Sequence, residues 1–583
     1  MKLDEKKLYR AIGEVNEDIA DEAAPKSLSA EYTELMDFVP EQKEAPQRSR
    51  KITHIVTGVM TAAAACACIA AVTVLLPKLA NQKPPVAGTA VTQETEPALT
   101  TDAPVSADAL SYFETEKGWY VAECDPNAES VVIPESYQGQ PVVGIRDAAF
   151  QNHDKLKKIV IPSTVNDIAG GAFDGTPWLK QQRAANPLVI VNGILIDAQT
   201  CSGAVTIPDG VTRIGENAFC AFLPDDKNFN HDLTAVTIPD SVKAIDQFAF
   251  YHCDKLESIN LPAGLQEIGC WAFGVCSGLK EITIPANVKS IGVQAFLECS
   301  SLTKVTMLNG LSEIGGEAFK DCENLAEISI PESVSVFGGF AFTNTKWLQQ
   351  KQAENPCVVV NGILINGSAC TGAVTIPDGV RAIGDDAFSE FNAENPKLTS
   401  VVIPDSVTEI GKSAFGYCPN LESVELPAGL TVIEESTFTD CTSLRAIVIP
   451  DGVKRIECGA FMDCRDLESV EIPASVTEFD QSIFLGTKWL EQKRQENPLV
   501  TVNGVAIDGR ACTGDVTIPE GVTGIVDCLL ADKTEAVDVT IPESVTAISE
   551  GAFGNCDSIT IKGKAGSAAE AYAQQANISF IAE

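Results

Sequence analysis

A proline returns at intervals of 23 residues along most of this chain, and this period constrains the fold more than any other feature. The series is Pro239, Pro262, Pro285, Leu308 in place of a proline, and Pro331, then Pro404, Pro427, Pro450 and Pro473, then Pro519 and Pro542. Three longer intervals, which end at Pro208, Pro377 and Pro519, measure 46 residues, which is twice the period. A fixed period of this size is typical of a solenoid, in which each unit buries its apolar side against its neighbours.

The pattern inside one unit predicts its local structure. Apolar residues alternate over residues 256–261, which predicts a short strand, and Pro262 ends that strand because proline cannot donate to a ladder. After a polar turn, Leu265 and Ile268 are expected to point inward, and Ala-Phe at 272–273 predicts a tight turn or a short helix. The chain therefore alternates short strands with turns or short helices.

A phenylalanine occupies the same place in nearly every unit. These residues are Phe150, Phe173, Phe219, Phe250, Phe273, Phe296, Phe319, Phe342, Phe388, Phe415, Phe438, Phe461, Phe484 and Phe553, with Leu530 in the one irregular unit. Stacked above one another, the rings are expected to form a continuous column in the core.

Each doubled interval contains a variant unit, and the three copies have nearly the same sequence. The copies read NPLVIVNGILID from Asn186, NPCVVVNGILIN from Asn355 and NPLVTVNGVAID from Asn497. An Asn-Gly pair between two apolar runs predicts a β-hairpin, with positive φ at the turn residues. In each copy the preceding tryptophan (Trp178, Trp347, Trp489) is expected to open a short helix that a proline (Pro187, Pro356, Pro498) ends. We interpret the repeated stretch as scaffold and not as a ligand loop.

Eight cysteines lie three residues after the repeated phenylalanine: Cys253, Cys276, Cys299, Cys322, Cys418, Cys441, Cys464 and Cys556. Their place in the repeat favours buried free thiols, since cysteine packs as a small hydrophobic residue. Disulfides between adjacent coils are a second interpretation, although one cysteine per coil defines no pairs. Metal binding is a third, and no CxxC spacing supports it.

The phrase xxIPxxVxxIGxxAFxxCxxLxxIxIP resembles the BspA-type leucine-rich repeat of bacterial surface proteins. The resemblance covers about residues 111 to 583, and the period and the Pro, Ala-Phe and Cys positions all coincide. It implies an N-terminal hairpin cap at residues 111–145, a closing segment at residues 563–583 and about eighteen coils. The fold class expected is an α/β-type leucine-rich-repeat solenoid with about 23 residues per coil, and the function expected is adhesion or the binding of host and matrix molecules.

Charge and motifs exclude several classes of function. The 80 acidic residues outnumber the 42 basic ones, so the chain is expected to repel nucleic acid. The four histidines, His54, His153, His231 and His252, belong to no HExxH motif or triad-like group, and GxSxG, GxGxxG and the phosphate-binding loop are absent from the sequence. The sequence predicts no catalytic residue, no metal site and no cofactor, and the carboxylates fall at repeat turns. An enzyme stays the third hypothesis, and it requires a cluster that the repeat pattern does not predict.

One segment, Ile52 to Leu76, is apolar for long enough to cross a bilayer as a helix. Arg48, Arg50 and Lys51 precede it, which places the N-terminus in the cytoplasm and the rest of the chain outside. A cleaved signal peptide is the alternative, and the polar lead of 51 residues argues against it. Lipid attachment at Cys66 or Cys68 is less favoured.

Residues 1–51 contain two amphipathic helical patterns, one through Leu8, Ile12, Val15 and Ile19 and one through residues 32–39. So short a segment cannot bury its own apolar faces, so it either docks on a cytoplasmic regulator or lies near the membrane without a partner. Its layout loosely resembles the front ends of anti-sigma-type regulators, which implies a sigma factor as the partner. Residues 77–110 are rich in Pro, Thr and acidic residues and predict an unfolded spacer.

The remaining candidate is the outward face of the repeated strand, which solenoids use for binding. Its residues are Ser258, Asn260, Glu281, Thr283, Lys304, Thr306, Glu327, Ser329, Ser423, Glu425, Ser469 and Glu471. The sequence assigns no ligand site within this row. The function predicted is a non-enzymatic, single-pass membrane protein of a Gram-positive bacterium, whose extracellular solenoid binds a protein or glycan. The alternative is a transmembrane signalling protein whose residues 1–51 hold a sigma factor or another regulator.

Overall fold

The computed structural model describes residues 109–583, apart from 221–231, 390–397, 532, 534, 555 and 557. Within these residues the chain is a repeat solenoid of about 19 turns, with about 23 residues per coil. It divides into two compact units, whose described parts are residues 109–354 and residues 355–583. The leucine-rich-repeat solenoid predicted from the sequence is confirmed.

The predictions for the N-terminal part concern residues that the structure does not describe. Residues 1–51, the transmembrane helix predicted over 52–76 and nearly all of the spacer at 77–110 lie outside the described residues. Among the residues that are described, no helix combines the length and the apolar character needed to cross a membrane.

Each coil contributes two strands, one before the repeated proline and a two-residue strand after the following turn. Both pair in parallel with their equivalents one coil away, as Ile282 does with Val305 and Ile291 with Ile314. We call the two series the long-strand row and the short-strand row. A constant offset of one repeat between paired residues keeps equivalent side chains in columns along the solenoid.

In the unit of residues 109–354 the long-strand row is Ser130–Val132, Lys158–Val160, Gly203–Thr206, Leu233–Thr237, Ser258–Asn260, Glu281–Ile284, Lys304–Met307 and Glu327–Ser329. The short-strand row is Asp167–Ile168, Arg213–Ile214, Ala244–Ile245, Glu267–Ile268, Ser290–Ile291, Glu313–Ile314 and Val336–Phe337.

In the unit of residues 355–583 the long-strand row is Gly372–Thr375, Leu398–Val402, Ser423–Glu425, Ala446–Val448, Ser469–Glu471, Val516–Thr517, Val537–Ile541, Ile559–Gly563 and Ser579–Ala582. The short-strand row is Ala382–Ile383, Glu409–Ile410, Val432–Ile433, Arg455–Ile456, Glu478–Phe479, Gly524–Ile525 and Ala547–Ile548.

Both ends of the described chain have their own closing structure. At the start, the antiparallel hairpin of Leu110–Thr115 and Gly118–Cys124 is followed by the shorter pair Ser136–Tyr137 and Gln140–Ile145. At the end, a helix over Ala568–Gln575 precedes the last strand of the long-strand row. The hairpin lies within residues 111–145 but for its first residue, and the helix lies within residues 563–583, the segments that the family resemblance assigns to a cap and a closing segment.

The three variant units each contain a helix and a hairpin, as predicted. The helices are α1 at Pro177–Ala185, α2 at Lys346–Glu354 and α3 at Lys488–Glu496, and the closing helix at Ala568–Gln575 is α4. The hairpins pair Val189–Val191 with Ile194–Asp197, Val358–Val360 with Ile363–Asn366, and Val500–Val502 with Val505–Asp508. A threonine hydroxyl accepts a hydrogen bond from the first turn of α1, α2 and α3, at 3.1 Å in each case. The helices begin one residue before the tryptophan that was expected to open them.

The phenylalanine column forms the centre of the core in both units. Centroids of successive rings lie 5.1 Å apart from Phe250 through Phe273 and Phe296 to Phe319, with nearly parallel planes. From Phe415 to Phe484 the spacing is 5.4 to 5.5 Å. Each ring covers the face of the next, so a coil buries its apolar side only when a neighbour is present. The Ala-Phe position forms a tight turn, and the short helix considered for it is not formed.

A glycine follows the short strand in several coils. A Cβ atom at Gly269 would lie 2.5 Å from the backbone nitrogen of Gln247, and one at Gly292 would lie 2.5 Å from that of Cys270. These glycines therefore allow backbone contact between coils. Glu434 and Glu457 take the same position in two coils of the second unit.

Candidate binding face

Alternation along the long-strand row determines which side chains face solvent. In Glu281–Ile284, Ile282 and Ile284 are buried while Glu281 and Thr283 are exposed. Of the twelve side chains predicted to face outward, eleven are exposed and Thr306 is half-buried. The parallel register carries this arrangement from coil to coil, so the outward side chains form two columns.

In the unit of residues 109–354 much of this face is occupied by contacts between coils. Lys280 forms an ion pair with Glu257 at 2.6 Å, and the Lys304 and Glu327 charges lie 3.9 Å apart. Asn260 donates its amide to the carbonyl of Ile238 and accepts from the nitrogen of the same residue. Exposed ion pairs of this kind contribute about 0 to 1 kcal/mol. Around residues 257–329 the row is therefore a solvated polar surface in which several groups pair with one another, while Val132 and Val160 are exposed nearer the cap.

The unit of residues 355–583 presents a different surface over four successive coils. We define the valine–glutamate face as Ser400, Val402, Ser423, Glu425, Ala446, Val448, Ser469 and Glu471. One column holds the small residues, and the other alternates valine with glutamate. Val402 is 45% exposed and Val448 is 59% exposed. This face therefore combines exposed apolar side chains with carboxylates.

The register fixes the neighbours within this face. Val402 pairs with Glu425, and Val448 pairs with Glu471, so each valine stands beside a carboxylate one coil away. The small side chains of the other column leave both the valines and the carboxylates accessible. Sequence reasoning named Ser423, Glu425, Ser469 and Glu471 but missed the two valines. Their outward position could have been inferred from the alternation, because the residues on either side of each valine are buried.

The cysteine column lies in the core, as the repeat position predicted. Seven of its eight thiols are buried, and Cys556 is half-buried. The Cys276 and Cys322 thiols donate to the carbonyls of Phe250 and Phe296, at 3.1 and 3.0 Å. Burial raises the pKa of both thiols well above the ordinary value, which keeps them protonated. These cysteines pack in the core and donate hydrogen bonds to backbone carbonyls.

The other titratable groups form structural pairs between neighbouring elements. Arg183 in α1 donates from Nε and Nη2 to both oxygens of Asp197 in the following hairpin, at 2.8 and 2.6 Å. Arg494 makes the same two bonds to Asp508, both at 2.8 Å. Burial raises the pKa of Asp174, which lies near the first of these pairs, to about 6. In both units each carboxylate oxygen accepts a hydrogen bond from the guanidinium, so these pairs fix the hairpin to the helix.

A second charged cluster lies on the short-strand row. Arg213 donates to both carboxylate oxygens of Asp246 and lies 3.5 Å from Asp167, which accepts a hydrogen bond from the Tyr120 hydroxyl at 2.8 Å. This network ties the N-terminal cap to the first coils.

The two described histidines make contacts with backbone carbonyls and with one aspartate. The ring nitrogens of His153 lie within hydrogen-bond distance of the Gln151 and Cys124 carbonyls. His252 lies 3.7 Å from Asp254, while His54 and His231 fall outside the described residues. In the part of the chain that the structure covers, no three His, Cys, Asp or Glu residues are grouped as metal ligands would be.

Several solved structures resemble the chain. A leucine-rich cell surface protein from Faecalibacterium prausnitzii is 26% identical, with 66% of this chain and 93% of that chain covered and a TM-score of 0.31. A leucine-rich repeat protein from Bacteroides ovatus is 25% identical, with 67% and 96% covered and a TM-score of 0.26. The pneumococcal vaccine antigen PcpA is 17% identical, with 67% and 92% covered and a TM-score of 0.28. No curated protein matches the chain.

The sequence also matches a described family directly. Residues 122–224, 225–349, 367–491 and 509–567 match the BspA type leucine-rich repeat region, in six copies that together cover more than half of the chain. The matched segments contain the proline period, the phenylalanine column and the cysteine column. The chain belongs to the BspA-type leucine-rich repeat family.

Proposed function

We propose that this protein is a non-enzymatic binding protein of the cell surface, and that its valine–glutamate face is the contact surface for an extracellular protein. The observation that carries the proposal is the exposure of Val402 and Val448 between Glu425 and Glu471. A glycan is the other ligand class that the sequence suggests, and the exposed valines favour a protein. Membership of a family of leucine-rich-repeat surface proteins suggests a protein-binding or adhesion-type role, and this family and fold are typically non-enzymatic.

The composition of this face supports a basic partner. Its charged side chains are carboxylates, and the whole chain has a formal net charge of -38. A partner that presents basic side chains around an apolar patch would pair with both features at once. Nucleic acid is disfavoured by the same charge.

The proposal includes the membrane arrangement predicted from residues 48–76. The chain crosses the membrane once, the N-terminus lies in the cytoplasm, and the spacer at 77–110 carries the solenoid outward. The supporting observation is the apolar run of residues 52–76 behind Arg48, Arg50 and Lys51. Protease added to intact cells is expected to remove the solenoid epitopes and to spare an epitope placed at residue 1. Protection of the solenoid in intact cells would contradict this arrangement.

Binding is tested with cells that display the full chain, against panels of immobilised extracellular proteins and glycans. For any ligand that binds the wild type, Val402→Ser with Val448→Ser is expected to weaken binding by about tenfold or more, because the apolar contacts are lost. The matched control is Val132→Ser with Val160→Ser, which removes two exposed valines from the other unit. Equal binding by both double variants would exclude the valine–glutamate face. Preference for glycans over proteins would replace the protein partner with a glycan.

The helical pattern through Leu8, Ile12, Val15 and Ile19 favours a second candidate function, which is signalling through a cytoplasmic regulator such as a sigma factor. Capture with residues 1–51 as bait tests it, with Leu8→Asp and Ile12→Asp together as the control. A sigma factor recovered by the wild-type bait and lost with the control would support signalling. Equal recovery with both baits would leave the segment as part of an anchor.

A further inference from the structure

One pair of thiols differs from the other cysteines of the described chain. The sulfur atoms of Cys357 and Cys370 lie 3.0 Å apart, which is about 1 Å longer than a disulfide bond. Cys357 immediately precedes the first strand of the second hairpin, and Cys370 follows its second strand. Both side chains are buried, but the neighbouring Pro356 and Ala369 are exposed. The pair therefore lies directly beneath the surface.

Comparison with the other two variant units shows that this pair is particular to one of them. At the position of Cys370 all three units hold a cysteine, namely Cys201, Cys370 and Cys512. At the position of Cys357 the other two units hold Leu188 and Leu499. The scaffold thus accepts leucine at this place, and packing does not by itself require a second cysteine there.

The same unit also lacks the charges that join helix and hairpin in the other two. Where those units carry the bidentate pairs Arg183–Asp197 and Arg494–Asp508, this one carries Gln352 and Asn366. Neither amide side chain is charged, so the ion pair of the other two units cannot form. The unit without the ion pair is the unit with the second cysteine.

The arrangement of the two sulfur atoms also suits thiol chemistry. The two thiols share one hydrogen bond, in which either sulfur can donate; with Cys370 as the donor, this bond lowers the pKa of Cys357 and raises that of Cys370. The thiolate is the nucleophile in thiol–disulfide exchange, so Cys357 is the attacking group. Cys276 and Cys322 also lie near the thiols of Cys253 and Cys299, but their own thiols donate to backbone carbonyls, at 3.1 and 3.0 Å.

We propose that Cys357 and Cys370 form a disulfide when the protein meets a disulfide oxidant, and that this bond fastens the first hairpin of the unit of residues 355–583. Cys357 attacks one sulfur of the oxidant and displaces one thiolate, which forms a mixed disulfide. Cys370 then loses its proton, attacks the Cys357 sulfur and releases the second thiol. Two cysteine protons are lost, and two electrons reduce the sulfur–sulfur bond of the oxidant to two thiols.

The test uses the purified full chain and oxidised glutathione. After incubation the protein is quenched with acid, alkylated with N-ethylmaleimide in denaturant and digested with trypsin. Cys357 and Cys370 fall in one tryptic peptide, residues 352–381, since no Lys or Arg lies between Lys351 and Arg381. We expect this peptide to carry no alkyl group and to be lighter than its reduced form by two hydrogen atoms. Reduction before alkylation should restore two alkyl groups.

Two internal controls come from the same digest. The peptides of residues 184–213 and 290–304 contain one cysteine each, Cys201 and Cys299, and both should remain alkylated after oxidation. The matched variant is Cys357→Leu, which copies Leu188 and Leu499. In this variant Cys370 should be alkylated, and the rise in Tm that oxidation gives to the wild type should be absent. Cys370→Ser serves as a second variant, in which Cys357 should be alkylated after oxidation and the rise in Tm should again be absent.

Either of two results would overturn the proposal. One is full alkylation of Cys357 and Cys370 in the wild type after oxidation, under conditions in which the Cys201 peptide is also alkylated. The other is a disulfide that joins Cys357 or Cys370 to a different cysteine. Both readouts concern the thiols and not ligand binding, so they are independent of the proposed function.

Discussion

Asn192 and Asn503 each perform two tasks in their hairpins. Both adopt positive φ, at 49° and 48°, as the Asn-Gly turn requires. Their side-chain amides also donate to two backbone carbonyls of the preceding coil, at 2.8 Å for Asn192 and at 2.8 and 2.9 Å for Asn503. The turn residue therefore fastens the hairpin to its neighbour, which explains why the chain uses asparagine here where glycine would satisfy φ alone.

A testable consequence at the residue scale concerns the buried ion pair in the third variant unit. Asp508→Ala leaves Arg494 with 23% exposure and without its carboxylate partner. We expect the local free energy of opening of the hairpin Val500–Asp508 to fall by about 2 kcal/mol, because hydrogen bonds to a charged group are lost. Hydrogen exchange of the hairpin amides measures this change.

The second variant unit provides the control for that experiment. The double variant Arg494→Gln with Asp508→Asn copies Gln352 and Asn366 of the second variant unit and removes both charges of the Arg494–Asp508 pair, while Arg510 loses the Asp508 carboxylate at 4.0 Å as it does in Asp508→Ala. It should recover a large part of the lost protection. Protection as low as in Asp508→Ala would mean that the ion pair contributes through its charge and that neutral residues cannot replace it.

Sequence reasoning succeeded where one residue has one role repeated many times. The phenylalanine column, the inward Leu265 and Ile268, and the hairpin turns were predicted because each follows from periodicity or from backbone preference. The pairs Arg183–Asp197 and Cys357–Cys370 were missed because their partners lie on different elements, and spacing along the chain does not reveal such contacts. Val402 and Val448 were missed because only the polar residues of the outward columns were considered as binding residues.

At the scale of the strand, the residue after the short strand differs from coil to coil. Glycine there allows backbone contact, as at Gly269 and Gly292, and three successive coils of the second unit place Glu434, Glu457 and Asp480 there instead. Burial, and then the nearby charge of Glu457, raise the pKa of Glu434 to about 7 from 4.5. In these three coils the carboxyl groups of Glu434, Glu457 and Asp480 form a ladder.

This ladder makes the second unit sensitive to pH. Between about 4.5 and 7 the folded state holds more protons than the unfolded state, because the pKa of Glu434 is raised on folding. Stability from this group is therefore greatest at low pH and is lost as pH rises through that interval. We expect Glu434→Gln to increase stability at pH 7.5 by about 1 kcal/mol, after allowance for solvent screening, and to have little effect at pH 4.5.

Thermal unfolding at both pH values measures the effect. The control is Glu409→Gln, which changes an exposed glutamate of the same strand row. The change in stability caused by Glu409→Gln should be small and similar at the two pH values. If Glu434→Gln gave the same small shift at both pH values, the raised pKa would be wrong.

At the scale of the whole molecule, stability is expected to be local, since each coil packs against its neighbours. Phe461 is fully buried and stacks between Phe438 and Phe484 at 5.4 and 5.5 Å. We expect Phe461→Ala to lower the free energy of local opening by about 3 to 5 kcal/mol in the coils from Phe438 to Phe484.

Hydrogen exchange followed along the chain tests this prediction. The coils of the other unit around Phe296 should keep their protection, and Phe461→Leu should cause a smaller loss in the same coils as Phe461→Ala. Equal loss of protection around Phe296 and Phe461 would mean that the two units unfold as one cooperative body.

The register of one repeat per coil also affects how the gene can change. Ile268, Ile291 and Ile314 pair in sequence, each with its equivalent one coil away. If recombination removes one repeat, the strands on either side meet in the pairing that they already use. The same holds when a repeat is duplicated. Unequal crossing-over between coils can thus lengthen or shorten the solenoid by whole coils that keep the same strand pairing.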